Sequence, residues 1–221
     1  MSKIVQQIQF RFKFFQIFWL FSAVLTPTMI ILSELMNGLL KAPASNANTV
    51  FANPLFLFGF LCLGFLTFVI SVMAIVFYAM LTHGLFNFFK KNIEPKVDPT
   101  WAVWSIFIPF ASSILTAYNF RSGFELLDLK STTGKYNFIY SIFYTVVVVI
   151  LSSISIYFSF YQTINKQGGL ITPVPLLITP VPFMNISFYI SVATSILGFV
   201  YVYFTWKSAK ELKDAVVNVE K

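Results

Sequence analysis

From Ala42 to Phe89 the chain carries no Asp, Glu, Lys or Arg. No water-soluble fold accommodates such a stretch easily, because the surface of a soluble domain must be mostly polar. Three further runs behave the same way, and 28 of the 221 residues are Phe. With 57% hydrophobic and only 10% charged residues, the composition lies far from that of soluble domains, about a quarter of whose residues are charged. This excludes a soluble enzyme, a nucleic-acid reader and a disordered chain. The solvent for this protein is a lipid bilayer.

About 20 apolar residues of helix cross a hydrocarbon core about 30 Å thick. Four segments meet that length: about 14–33, 55–81, 137–160 and 186–206. The first follows Lys3, Arg11 and Lys13 and lacks a small-residue cleavage site, so it reads as a retained anchor. The single Cys62 lies inside an apolar run and reads as a small buried hydrophobe. It cannot form an internal disulfide and says nothing of redox compartment.

A fifth run, 101–120, decides the topology. If it crosses, with the amino terminus inside, Lys and Arg divide seven inside against eight outside. If it does not cross, they divide thirteen against two, with only Lys41 and Lys166 outside. Positive charge accumulates on the cytoplasmic side of membrane proteins. Four crossings and two cytoplasmic termini satisfy that rule, and five do not. The net charge of +7 is therefore topogenic, and no nucleic-acid partner is expected.

The run 101–120 should then be re-entrant or interfacial on the cytoplasmic side. Asp98-Pro99-Thr100 supplies a helix start, with Asp98 or Thr100 as the cap. Trp101 and Trp104 suit the headgroup level, and Pro109 interrupts the hydrogen-bond ladder. A helix–break–helix hairpin dipping into the inner leaflet meets these constraints. The alternative is a short fifth helix kinked by Pro109. Residues 120–130 read as an amphipathic surface helix, with Phe120, Phe124 and Leu127 opposite Arg121, Glu125, Asp128 and Lys130. Thr132-Thr133-Gly134 reads as the turn that ends it. The expected fold is an all-α integral membrane protein, a four-span bundle with this hairpin and a single membrane domain over 1–221.

The block from Asn53-Pro54 through the second span, with Trp101-x-x-Trp104, Phe107-x-Pro109, Ala117-Tyr118 and Glu125-Leu126, resembles the domain of unknown function 4328 family. These are bacterial multispanning membrane proteins, and the resemblance covers about residues 53–160. The family has Pro-Tyr where this chain has Ala117-Tyr118, and Trp where it has Leu127. The resemblance implies a shared fold and a bacterial inner membrane. It brings no catalytic residue and no cofactor.

Chemistry inside a membrane needs ionisable groups at depth, and those are rare here. His83 is the one histidine, too few for a zinc site. It reads as a helix-end residue favoured by the C-terminal dipole, or alternatively as a general base. Glu34 reads as the first charge to reach outside water, or as an acidic ring at the mouth of a homo-oligomeric pore. Ser187, Ser191 and Ser195 recur every fourth residue in the last span, and Ser152, Ser155 and Ser159 form a similar stripe in the third. Such stripes predict a tightly packed antiparallel pair, or a hydroxyl-lined polar pathway. Pro27 between Thr26 and Thr28 predicts a kink in the first span. The tandem Leu-Ile-Thr-Pro-Val-Pro repeat at 170–182 is apolar and extended, and serves either as a cover for bilayer or partner or as a spacer.

These features favour a non-catalytic membrane component that self-assembles or binds a membrane partner, in regulation, stress response or phage defence. A homo-oligomeric pore is the alternative, and a small transporter or enzyme the least favoured.

Overall fold

A computed structural model describes residues 2–40, 54–108, 111–167 and 186–220. Among these residues the fold is all helical, without strands. Helix α1 is Lys3–Leu40 and α2 is Pro54–Asn92. A short α3, Pro99–Trp104, continues into a 3-10 turn, Ser105–Phe107. Then come α4, Ser112–Leu126, α5, Thr132–Gln167, and α6, Ile186–Val219. Four of them (α1, α2, α5 and α6) are long and apolar enough to cross a membrane. The protein is a multi-pass, all-α membrane bundle.

The long helices form an open row in the order α2, α1, α6, α5, and no packed interface joins α2 to α5. Phe14 and Phe18 of α1 both stack on Phe77 of α2, at 5.0 and 5.3 Å. Trp19 Nε1 donates to the Val202 carbonyl at 3.2 Å, joining α1 to α6. Tyr144 of α5 lies flat on Tyr201 of α6 at 5.1 Å, and Tyr140 Oη donates to the Leu197 carbonyl. The last two helices therefore do pair antiparallel, but aromatic rings make the contact. Ser152 points away, exposed.

Each long helix overshoots its apolar span. Helix α1, with 38 residues, measures about 57 Å against a hydrocarbon core of about 30 Å. In α1, α2 and α6 most of the surplus gathers at one end. There Ser2 N donates to Glu220 Oε1 at 2.7 Å, so both ends of the described chain meet. Arg11 Nη1 reaches the Met80 carbonyl at 2.9 Å; a Cβ on Gly84 would stand 3.0 Å from that nitrogen, so the glycine keeps the passage open. Lys213 lies over the Phe12 ring at 4.9 Å. The basic residues of α1, α2, α4 and α6 thus share one end of the bundle.

The core lies at that end as well. Val5, Ile8, Phe12 and Phe15 of α1 join Tyr78, Leu81, Leu85 and Phe89 of α2, Phe120 and Phe124 of α4, and Leu212 and Val216 of α6. In the most apolar windows of the four long helices, only 6–11% of residues are buried. Apart from the aromatic contacts between helices, those windows face outward.

Several sequence expectations change. Residues 120–130 are not a helix of their own: α4 starts at Ser112 and stops at Leu126. The stop is made by Asp128, whose φ of 53° is tolerated by Asp far better than by branched residues. Thr132, Thr133 and Gly134 already form the first turn of α5, where Ser131 Oγ accepts from the Gly134 N–H as a cap. His83 does not end a helix, because α2 continues to Asn92. Cys62 is exposed, not buried.

Candidate functional site

The segment 101–120 is the element that sets this bundle apart, and its chemistry begins with Asp98. The Asp98 carboxylate accepts from the Thr100 N–H at 2.9 Å, and Pro99 occupies the first helical position. This starts α3, which is brief. The 3-10 turn ends at Phe107 and the next helix begins at Ser112, and Pro109 itself lies outside the described residues.

The chain then doubles back. Asn119 Nδ2 donates to the Ala102 carbonyl at 3.1 Å and to Ser105 Oγ at 2.8 Å. Ser105 Oγ in turn donates to the Ala102 carbonyl. All three residues are buried. A buried amide without partners costs several kcal/mol in an apolar setting, so this triangle closes the hairpin where its first helix gives out. Thus 101–120 is not one straight helix.

The hairpin fills the gap between the two ends of the row. Its first arm packs on α2 and its second on α5. The Phe120 ring meets Tyr78 edge-on at 5.9 Å, and Ser113 shares a hydrogen bond with Thr145 at 2.5 Å. The Tyr78 hydroxyl is buried facing Thr116 and Asn119 without a well-formed hydrogen bond.

Two hollows lie side by side in the bundle. One, of about 380 Å³, is bounded by Ile75, Ser112, Ser113, Thr116 and Thr145. The other, of about 270 Å³, is bounded by Ser22, Pro27, Thr194, Ser195 and Gly198. Trp19, Tyr144 and Tyr201 line both. Below the hairpin an open cleft brings Asp98, Trp101, Tyr118 and Glu125 together.

Of the residues singled out in the sequence, Trp101 and Glu125 share that cleft, and the others are dispersed. Trp101 and Trp104 stand outward on α3, 51% and 61% exposed, and Glu125 pairs with Arg121 at 2.8 Å on the surface of α4. His83 is exposed on α2, remote in sequence from any acid. Ser195 lines the smaller hollow, its hydroxyl bonded to the Ser191 carbonyl in its own helix. The side chains of Glu34 and Ser187 lie outside the described residues, as does the repeat at 170–182. Among the described residues no three His, Cys, Asp or Glu gather into a metal site.

Sequence reasoning passed over Asn119, Ser105, Tyr78 and Thr145. A usable signal existed for Asn119, an amide inside a run otherwise of apolar and hydroxyl residues. It passed over Glu211 too, which accepts from Thr133 Oγ1 at 2.8 Å and from Ser131 Oγ at 3.3 Å, and so ties α6 to the start of α5. The chain matches no family model, no curated protein and no solved structure.

Proposed function

We propose that this chain is a non-catalytic membrane component that works by assembly, with a copy of itself or with another membrane protein. Regulation, stress response and phage defence are the settings that suit it. The observation that carries this reading is the open row. Helix α2 packs on α1 and, at one end, on the hairpin, while Phe58, Leu61, Phe65 and Phe68 form a ridge 66–70% exposed along its remaining face. Spacings of three and four place them on one helix face. Gly59, with open space where a Cβ would stand, lies beside the ridge and is a small residue of the kind that lets membrane helices approach closely. Cys62 stands exposed beside the ridge, which provides the test. Oxidation with copper-phenanthroline in native membranes should yield a cross-linked dimer that Cys62→Ala abolishes. A chain that stays monomeric in mild detergent, gives no cross-link and brings down no second membrane protein would sink the reading.

A pore is the second reading, favoured by the hydroxyls of Ser112, Ser113, Thr116 and Thr145 around the larger hollow. Conductance across a planar bilayer distinguishes it.

We also infer the orientation: both termini cytoplasmic in a cell membrane, the hairpin dipping into the inner leaflet and held at its mouth by Trp101 and Trp104. The contact of Ser113 with Thr145 supports the dip, because Thr145 lies eight residues into the span starting near 137, about 12 Å at 1.5 Å per residue. In a Cys62→Ala background, cysteines at Ser45 and Gln167 should label from outside. Those at Ser131 and Asn218 should label only once the membrane is opened. Pro109→Ala should disturb that pattern more than Pro27→Ala, since a straightened run is long enough to cross. The resemblance to the domain of unknown function 4328 family would extend to this fold and to no chemistry.

A further inference from the structure

The turn between α4 and α5 holds a second feature, separate from the hairpin tip. Arg121, Lys130 and Lys135 line one pocket of about 430 Å³. A carboxylate, Glu125, shares the pocket, and Arg121 Nε already binds it at 2.8 Å. The Arg121 guanidinium is further held across the Phe138 ring at 5.1 Å. The nearby Glu211 is engaged by Ser131 and Thr133. Neither Lys130 nor Lys135 has an ion pair among the described residues. Positive charge therefore outweighs negative in a concave, water-facing site.

Its depth is defined by the sequence around it. Lys135 is the last charged residue before a run free of Asp, Glu, Lys and Arg that extends to Asn165. A chain leaves the headgroup layer for hydrocarbon where its charges stop. The pocket thus lies at the level of lipid phosphates. From it an apolar stripe descends along α5: Ile139, Phe143, Val146 and Ile150 are 51%, 52%, 51% and 54% exposed. Their spacing keeps them on the same face as Lys135. A cationic pocket continuous with a bare apolar stripe matches an amphiphile with an anionic head and an acyl tail.

We propose that this pocket binds the phosphate of an anionic phospholipid, with one acyl chain laid along the α5 stripe. Basic pockets at the cytoplasmic ends of spans are the usual seats of anionic headgroups, and ammonium groups act there as compact point charges on phosphate. The inference depends on the membrane fold and not on assembly; a lipid-loaded monomer would support the one while failing the other.

The test uses the full chain purified in a neutral detergent. Bound lipid is counted by native mass spectrometry after titration with phosphatidylglycerol or phosphatidylcholine. The chain should prefer phosphatidylglycerol. Lys130→Gln with Lys135→Gln should weaken that binding by about thirtyfold, at about fivefold for each lysine near a membrane surface. Lys130→Arg with Lys135→Arg should retain it. A control pair at the same end of the bundle, Lys207→Gln with Lys210→Gln, should leave it unchanged. Equal binding of the two lipids, or an equal loss in the control pair, would overturn the proposal. Millimolar inorganic phosphate displacing the lipid and binding with the same lysine dependence would overturn the lipid assignment in favour of a soluble anion. All four lysines are on helix or turn surfaces, and an unchanged melting temperature in each variant verifies the fold.

Discussion

The two ends of the bundle are built on different principles. At the end that holds Lys3, Lys90 and Lys213, large side chains from four elements interlock, and Phe15, Leu85, Phe120 and Leu212 are fully buried. Toward the other end the same helices run with their apolar side chains outward, and Phe58, Leu61 and Phe65 are 67–70% exposed. Both regions are apolar in sequence. What separates them is the medium: hydrophobic burial drives packing only where water is the alternative, and lipid tails are as apolar as leucine. The tight end is therefore where the charged extensions of the helices begin, and the hairpin closes it.

Substitutions matched between the two regions break or sharpen this contrast. The largest difference is expected for phenylalanine. Phe120→Ala removes a fully buried ring and should cost about 3–5 kcal/mol. Phe65→Ala, at a residue 70% exposed, should cost within about 0.5 kcal/mol. Unfolding in mixed detergent measures both, and similar values would erase the distinction.

Glycines give the next contrast. A Cβ on Gly123 would meet Leu212 Cδ2 at 2.6 Å and Phe89 Cε2 at 3.2 Å, whereas one on Gly59 meets nothing within 4 Å. Gly123→Leu should destabilise by about 1–3 kcal/mol through overpacking. Gly59→Leu should be neutral or stabilise by up to about 1 kcal/mol through helix propensity. Melting temperatures that move together would place both glycines in one environment.

Asn119→Ala removes two hydrogen bonds within the hairpin and should cost about 1–3 kcal/mol. It should also raise the reactivity of a cysteine placed at Ser112, as the tip loosens. Unchanged reactivity would mean that apolar packing alone holds the arms together. The smallest effect belongs to Glu125→Gln, which breaks the exposed Arg121 pair at a cost of about 0.3–0.5 kcal/mol. That loss should vanish in 1 M salt, where screening is nearly complete.

Most of the membrane architecture was legible in the residues. Charge-free runs mark the four long helices. Asp98-Pro99-Thr100 foretells the start of α3 because capping is local. The extensions of the helices were not legible from hydropathy. Val5, Ile8, Phe12 and Phe15 form a buried stripe, yet Lys3, Arg11 and Lys13 between them lower the average. Averaging over a window discards the periodicity that carries the information. Asp128 and Thr132-Thr133-Gly134 were misjudged for a different reason: either side of a turn offers hydroxyls and small residues, and only the φ of 53° at Asp128 selects the place. The serine stripes promised close helix approach, but Tyr144 and Tyr201 already occupy that interface.

The self-contained bonding of the hairpin has a consequence for how the chain enters a membrane. Trp19 finds its acceptor in Val202, 183 residues further along, so the row cannot close until α6 is in place. Asn119 has no such wait, since Ala102 and Ser105 lie 17 and 14 residues before it. While α5 and α6 are still being synthesised, the hairpin already satisfies its own amide and needs no later helix to shield it. Insertion can then proceed in two stages. The amide of the hairpin is settled locally as that segment emerges from the ribosome, and the contacts of the late helices, Trp19 with Val202 among them, then gather the pieces.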